Sequence, residues 1–350
     1  MSTRLLQAPT PLSGRRLGRP LRVALVLVPL VALMVSITLG RYPVSPLDVV
    51  WAALAELRLS SRAVPENVAV VVFDLRLPRI LAAMVVGGAL SAAGAAYQGM
   101  FRNPLVSPDI LGAAAGSGFG AALGIMLGLD ILTIQVLAFA FGLAAVVVSY
   151  TVATRLRDSD PTLVLVLAGI LVGTVFTSLI SLLKYLADPY DRLPAITFWL
   201  MGSLSSVGRG DLPLLVVPAV VGLGALFLLR GQLTTLSFGN DEAMTLGVDT
   251  GRVRAVVIVA ATLMTASTVS VCGMIAWVGL VIPHLARALV GPTFRLLLPA
   301  SVLLGSTYLL LVDDLARSLG PLELPLGVMT AIIGAPCFLY LLSRSGRGWS

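Results

Sequence analysis

Leu75-Arg76-Leu77-Pro78-Arg79 leads directly into ILAAMVVGGALSAAGAAYQG at residues 80 to 99, an uncharged run. A helix rises about 1.5 Å per residue, so roughly 20 such residues cross the hydrocarbon core of a bilayer. Comparable runs occupy residues 21 to 40, 109 to 129, 131 to 154, 162 to 186, 212 to 229, 253 to 273, 275 to 290, 296 to 312 and 325 to 343. Hydrophobic residues form 57% of the 350 and charged residues 12%, with a mean hydropathy of +0.98. That balance belongs to a polytopic membrane protein. Backbone groups find no water inside lipid, and alternating strands are absent, so the spans are expected to be helices. The expected fold is all-α, about ten transmembrane helices, with a tail at residues 1 to 20 and a single membrane domain over 21 to 350.

Arg4, Arg15, Arg16, Arg19 and Arg22 precede the first span. Its apolar run exceeds the roughly 7 to 15 residues of a secretory signal core, and no A-x-A site follows it, so it is expected to remain as an uncleaved span. If successive connections alternate between the two sides, most basic residues fall on the side of the N-terminus. The positive-inside rule then places both termini in the cytoplasm. The net charge of +7 thus reflects topology, and no clustered basic, aromatic-bearing face points to nucleic acid.

Several mechanisms drop out. Lys184 is the only lysine and lies between Leu183 and Tyr185, so no phosphate-binding G-x-x-x-x-G-K-[ST] loop exists and the chain is not expected to hydrolyse ATP. Cys272 and Cys337 sit in apolar spans without a C-x-x-C, and His284 is the only histidine, which argues against a metal, haem or cluster site and for packing. No cofactor is expected in this chain. The carboxylates Asp313 and Asp314 fall at a span end rather than mid-membrane, whereas ion-coupled transporters commonly carry ionisable groups within the bilayer.

Leu105-Val106-Ser107-Pro108 recurs as Leu280-Val281-Ile282-Pro283, each after a run rich in small residues. The copies lie five spans apart, an odd number that turns one upside down, as in an inverted-topology repeat. Chance similarity among Leu, Val and Pro is the plainer alternative. Gly112, Gly116, Gly120, Gly124 and Gly128 recur every four residues. Such a face either lets a neighbouring helix approach closely or lines a featureless path.

Four motifs in order carry a family resemblance: Leu75-Arg76-Leu77-Pro78-Arg79; Phe101-Arg102-Asn103-Pro104-Leu105 with Pro108 and Leu111-Gly112; Val278 through Pro283-His284-Leu285-Ala286-Arg287; and Leu326-Gly327 through Gly334-Ala335-Pro336. Over residues 20 to 345 the chain resembles the FecCD permeases, membrane subunits of binding-protein-dependent ABC importers for iron-siderophores, haem and cobalamin. The resemblance implies a ten-span permease in a bacterial-type cytoplasmic membrane. It pairs with a second permease subunit, either a copy or a paralogue. Two ATP-binding subunits dock on the cytoplasmic side and an extracytoplasmic substrate-binding protein on the other. ATP and Mg would then belong to the partner subunit, which accounts for the missing phosphate loop.

The inner segment at about 232–251 contains Asp241-Glu242-Ala243 and Gly247, similar to the E-A-A-x-x-x-G coupling helix of ABC permeases with Asp241 in place of the first Glu. A short surface helix ended by glycine is the alternative. The same resemblance assigns Arg76, Arg79 and Arg317 to docking acidic residues of the binding protein, for which arginine's planar fork suits carboxylates. Snorkelling toward headgroups is the alternative. Asn103 and Leu105, with Thr162 and Leu163, match positions that form cytoplasmic constrictions. Leu163 stands where the cobalamin importer has a small polar residue, which points to another cargo, and apolar constrictions can close by dewetting. The expected cargo is an iron-siderophore complex, with haem or cobalamin as alternatives. An ion-coupled secondary transporter is the rival class.

Overall fold

The computed structural model describes residues 18–40, 42–56, 59, 65–155, 161–320 and 322–345. Most of the expected tail at residues 1 to 20 lies outside them. All regular secondary structure among the described residues is helical, with no strand. The helices are α1 (Arg19–Thr38), α2 (Pro46–Glu56), α3 (Glu66–Val70), α4 (Leu77–Met100), α5 (Ala113–Met126), α6 (Ile131–Arg155), α7 (Pro161–Leu186) and α8 (Arg192–Met201). They continue with α9 (Leu212–Leu228), α10 (Arg230–Leu236), α11 (Asn240–Thr245), α12 (Thr250–Cys272), α13 (Val278–Val290), α14 (Phe294–Ser318) and α15 (Leu326–Ser345). A π-helical turn, Val71–Arg76, joins α3 to α4.

A helix coincides with each of the ten expected runs. Six are long and apolar enough to cross a membrane, those beginning at Pro20, Ile131, Thr162, Arg209, Thr250 and Phe294. Ala113–Met126, Val278–Val290 and Leu326–Leu341 are apolar but shorter. The tenth, α4, has another kind of surface. Every residue from Val86 to Met100 is buried, and most are Ala or Gly. A helix enclosed by protein is not selected for contact with lipid, so small residues replace large apolar ones.

Small residues let α4 touch its neighbours backbone to backbone. A Cβ at Gly94 would overlap the carbonyl of Gly279 on α13, and one at Gly87 would overlap that of Gly305 on α14. The five-glycine ladder resolves the same way. Gly116, Gly120 and Gly124 of α5 lie against Phe141, Leu137 and Ile134 of α6, while Gly112 and Gly128 sit at positive φ just outside the helix. Within α5 the ladder is a helix contact.

The repeat is visible in packing rather than in the short motif. Helix α4 packs on α13 and α14, and α12 packs on α5 and α6. Moving α4, α5 and α6 onto α12, α13 and α14 in chain order interchanges these neighbours. Pro108, however, lies in the connection before α5, whereas Pro283 is inside α13. The Leu-Val-x-Pro similarity therefore does not mark equivalent local structure.

Where α8 and α12 end and α15 begins, non-helical backbone from three parts of the chain meets. Ser203 N–H donates to the Cys272 carbonyl at 2.8 Å and Leu326 N–H to the Gly202 carbonyl at 2.9 Å. Gly202 and Gly273 hold φ of +75° and +70°, and a side chain on either would run into the other strand of this junction. Irregular backbone in a membrane protein needs such partners within the protein.

Candidate functional site

Three features could carry function: a charged cavity at one end of the α4·α14 pair, an exposed short helix at the other end, and an uncovered stripe along α7. The ends are opposite because α4 and α14 run antiparallel. Arg79 near the start of α4 reaches Asp313 near the end of α14, while Phe294 at the start of α14 packs on Gly99 and donates its N–H to Thr234 Oγ1 of α10 at 3.1 Å. At about 1.5 Å per residue, the helical length of α4 separates them by about 36 Å.

The charged cavity measures about 390 Å³ and is lined by Tyr42, Asp74, Arg76, Arg79, Arg317 and Glu323, among others. All three arginines expected to meet an external partner face it. Each already has internal partners. Arg76 is 6% exposed and donates to the carbonyls of Ile37 (2.8 Å), Thr38 (3.3 Å) and Tyr42 (2.5 Å). It thereby ties the end of α1 to the start of α4. Arg317 pairs with Asp314 and donates to the carbonyls of Ser36 (2.8 Å) and Leu39 (3.0 Å). Ser36 Oγ donates in turn to Asp314 at 2.6 Å.

Arg79 uses its whole fork. Nε and Nη2 donate to Asp313 at 2.8 to 3.1 Å, and Nη1 donates to both oxygens of Glu323 at 3.1 and 2.9 Å. Asp313 is fully buried and Glu323 is a third exposed. At the rim, Arg209 pairs with Asp74 at 3.0 Å. Arg76 and Arg317 are therefore already engaged within the chain. Burial of a charge demands such partners. Asp313 and Glu323 lie 234 and 244 residues from Arg79, so no local spacing signals the pairing.

At the opposite end, α11 carries Asp241, Glu242 and Ala243. Both acids are exposed and Ala243 is buried against the bundle. Gly247 closes the helix at φ +79°. Its N–H donates to the Met244 carbonyl at 2.9 Å and the Val248 N–H to the Ala243 carbonyl at 3.0 Å, which is a Schellman termination. The glycine is thus needed for backbone conformation, and a Cβ there would meet nothing. The sequence reading passed over the apolar side chains beside it: Phe238, Met244 and Leu246 are 58%, 55% and 70% exposed. Large apolar residues beside the acids of a short connection between spans are the signal that could have found them. Arg254 Nη2 donates to Asn240 at 2.9 Å and fastens α11 to α12.

The four expected constriction residues fall on two elements that touch. Asn103 and Leu105 are exposed in the connection before α5, where Asn103 Oδ1 accepts the Leu105 N–H at 2.9 Å. That connection packs on α7 at Gly169, where a Cβ would overlap the Ile110 carbonyl. Thr162 is half-buried in the first turn of α7 and Leu163 is 55% exposed. Leu163, Leu167, Ile170, Thr174, Ser178 and Ser181 follow helical spacing on one face, and all are exposed. The stripe changes from apolar to hydroxyl-bearing away from the α11 end. Each hydroxyl of Thr174, Thr177, Ser178 and Ser181 donates to the carbonyl four residues back, at 2.8 to 3.0 Å. Beside it a cavity of about 390 Å³ is lined by Asp109, Gly169, Gly173 and Thr177.

Residues 27–344 match the model of the FecCD transport family. The molybdate import system permease of Haemophilus influenzae is 39% identical over 329 residues, covering 93% of this chain and 95% of that protein. The cobalamin import system permease of Halobacterium salinarum is 38% identical over 309 residues, covering 88% and 81%. A solved inward-facing structure assigned to the metal-chelate type of ABC transporter is 36% identical, covers 92% of this chain and 98% of its own, and superposes with a TM-score of 0.82.

Proposed function

The chain belongs to the FecCD transport family and is an ABC permease, and from that premise we propose that it provides the translocation path of a binding-protein-dependent importer. The observation that carries this reading is the pair of opposite ends. One presents a capped, exposed helix with acids and uncovered apolar side chains, suited to an ATPase groove. The other presents a charged cavity suited to an extracytoplasmic binding protein. In this assignment the α11 end is cytoplasmic, both termini lie with it, and hydrolysis takes place on two separate ATP-binding subunits.

The uncovered face of α7 supports a second permease subunit facing the first, with the path between them. Hydroxyl groups already bonded to their own helix line a polar but uncharged surface, one that passes a large complex without holding it. Leu163 and Leu105, with Asn103 and Thr162, would form the apolar constriction at the cytoplasmic end, closing by exclusion of water.

For cargo, we propose an iron-siderophore complex. The molybdate permease at 39% identity over nearly the whole chain favours a second reading, a molybdenum oxyanion. Vesicles containing the permease, its ATPase subunit and its binding protein would be tested for ATP-dependent uptake of radiolabelled ferric siderophore, molybdate, haem and cobalamin. Uptake of the ferric siderophore alone is the expected result. Saturable molybdate uptake without ferric siderophore uptake selects the second reading, and failure both to associate with an ATPase and to take up any cargo with ATP overturns the importer itself.

A further inference from the structure

The Arg79 fork is filled by two carboxylates that differ in kind. Asp313 is fully buried on α14 and bound through two guanidinium nitrogens. Taking it away would strand a charge inside the protein. Glu323 sits in the non-helical connection between α14 and α15, a third exposed, and holds only Nη1. A rim pair of this sort contributes little, because water competes for both charges. One half of the fork is therefore permanent and the other replaceable.

Charge balance says what replaces it. Arg317 is matched by Asp314 and Arg209 by Asp74. Among the described residues, Arg79 has two acids, whereas Arg76 donates to carbonyls. Among the described residues that line the cavity, Glu323 is thus the second acid on an arginine that already has one, and swinging it out leaves the outer edge of the Arg79 guanidinium facing an open cavity. Only another anion of similar shape restores the balance, and a guanidinium edge takes a carboxylate in preference to a carbonyl.

We propose that Glu323 is a built-in stand-in for an acidic residue of the external partner: it fills the outer half of the Arg79 fork in the unpartnered permease and is exchanged for a carboxylate on a loop of that partner. The proposal rests on the docking reading of this end given above. It adds that docking is a substitution of one carboxylate for another. Specificity then comes from the partner's acid having to outcompete Glu323, an internal competitor that screens out weakly acidic surfaces. Because no net charge is buried in the exchange, attraction acts mainly on encounter.

The test uses the full chain in lipid nanodiscs and arginine modification by phenylglyoxal, read residue by residue by peptide mass spectrometry. A soluble triglutamate peptide serves as the carboxylate probe at low salt. In the wild type Arg79 should label slowly. E323Q should label about threefold faster, the scale of losing one exposed ion pair, while Arg76, held by carbonyls, labels slowly in both. E323D should restore slow labelling, which separates a lost carboxylate from a disturbed loop. Triglutamate should protect Arg79 in E323Q at concentrations that leave the wild type little changed. Equal Arg79 labelling in wild type and E323Q overturns the stand-in and leaves the docking reading standing. Faster labelling in E323Q that triglutamate cannot suppress overturns the exchange together with the docking reading.

Discussion

Arg76 and Arg79 are three residues apart and do different work. Arg76 closes three backbone carbonyls at the end of α1, so Arg76→Gln should lower stability by about 1–3 kcal/mol, the cost of leaving buried acceptors unmet. Arg79→Gln strands the buried carboxylate of Asp313 and should cost more, about 3–5 kcal/mol. Thermal unfolding of detergent-solubilised protein, followed by size-exclusion profile, would rank the two, and an equal or reversed order would refute this account of the cavity. Both arginines stood out in the sequence as part of the Leu75-Arg76-Leu77-Pro78-Arg79 motif that carries the family resemblance. Their partners did not, because Ile37, Tyr42, Asp313 and Glu323 reach them only through the tertiary fold. What was legible was the pair of arginines, not their wiring.

Among elements, helices of lipid-crossing length were legible because an apolar run in a membrane protein has few other fates. Short elements were not. The π turn at Val71–Arg76, α2 and α8 leave no period long enough to read. Helix α11 was found by motif, and the structure adds why its glycine matters. Gly247→Val forces a β-branched residue to φ +79° and should loosen the helix end by about 1–2 kcal/mol. Replacing Met244 and Leu246 together by Ser should instead leave α11 folded and remove contact area. Co-purification of the ATPase subunit should fall in both variants, whereas hydrogen exchange at α11 should rise only in Gly247→Val. Retention of the ATPase by both would remove α11 from the coupling surface. Gly94→Val, which would drive a side chain into the Gly279 backbone, should abolish recovery of folded protein, because neither partner is a flexible side chain. Normal recovery would mean that α4 and α13 are not in this contact.

At the scale of the whole molecule, the distinction is between surfaces that meet lipid and a surface that meets water. Val147 on α6 is 63% exposed among other apolar residues, while Thr177 on α7 is exposed among hydroxyls. Thr177→Cys should therefore react with a membrane-impermeant maleimide and Val147→Cys should not, in the assembled transporter within a bilayer. Equal protection of both would turn the α7 face toward lipid and dissolve the proposed path. Composition made the membrane legible from the first reading. It could not say which helix lies inside the bundle and which faces a path, since α7 is among the most apolar helices and yet carries the hydroxyl stripe.

The junction of Gly202, Gly273 and Leu326 bears on biosynthesis. Helix α8 and the end of α12 leave the ribosome well before α15, yet the Gly202 carbonyl receives its partner only from the Leu326 N–H. A nascent chain halted before residue 326 would lack the donor that Leu326 supplies to this corner. Completion of synthesis and closure of that corner thus coincide.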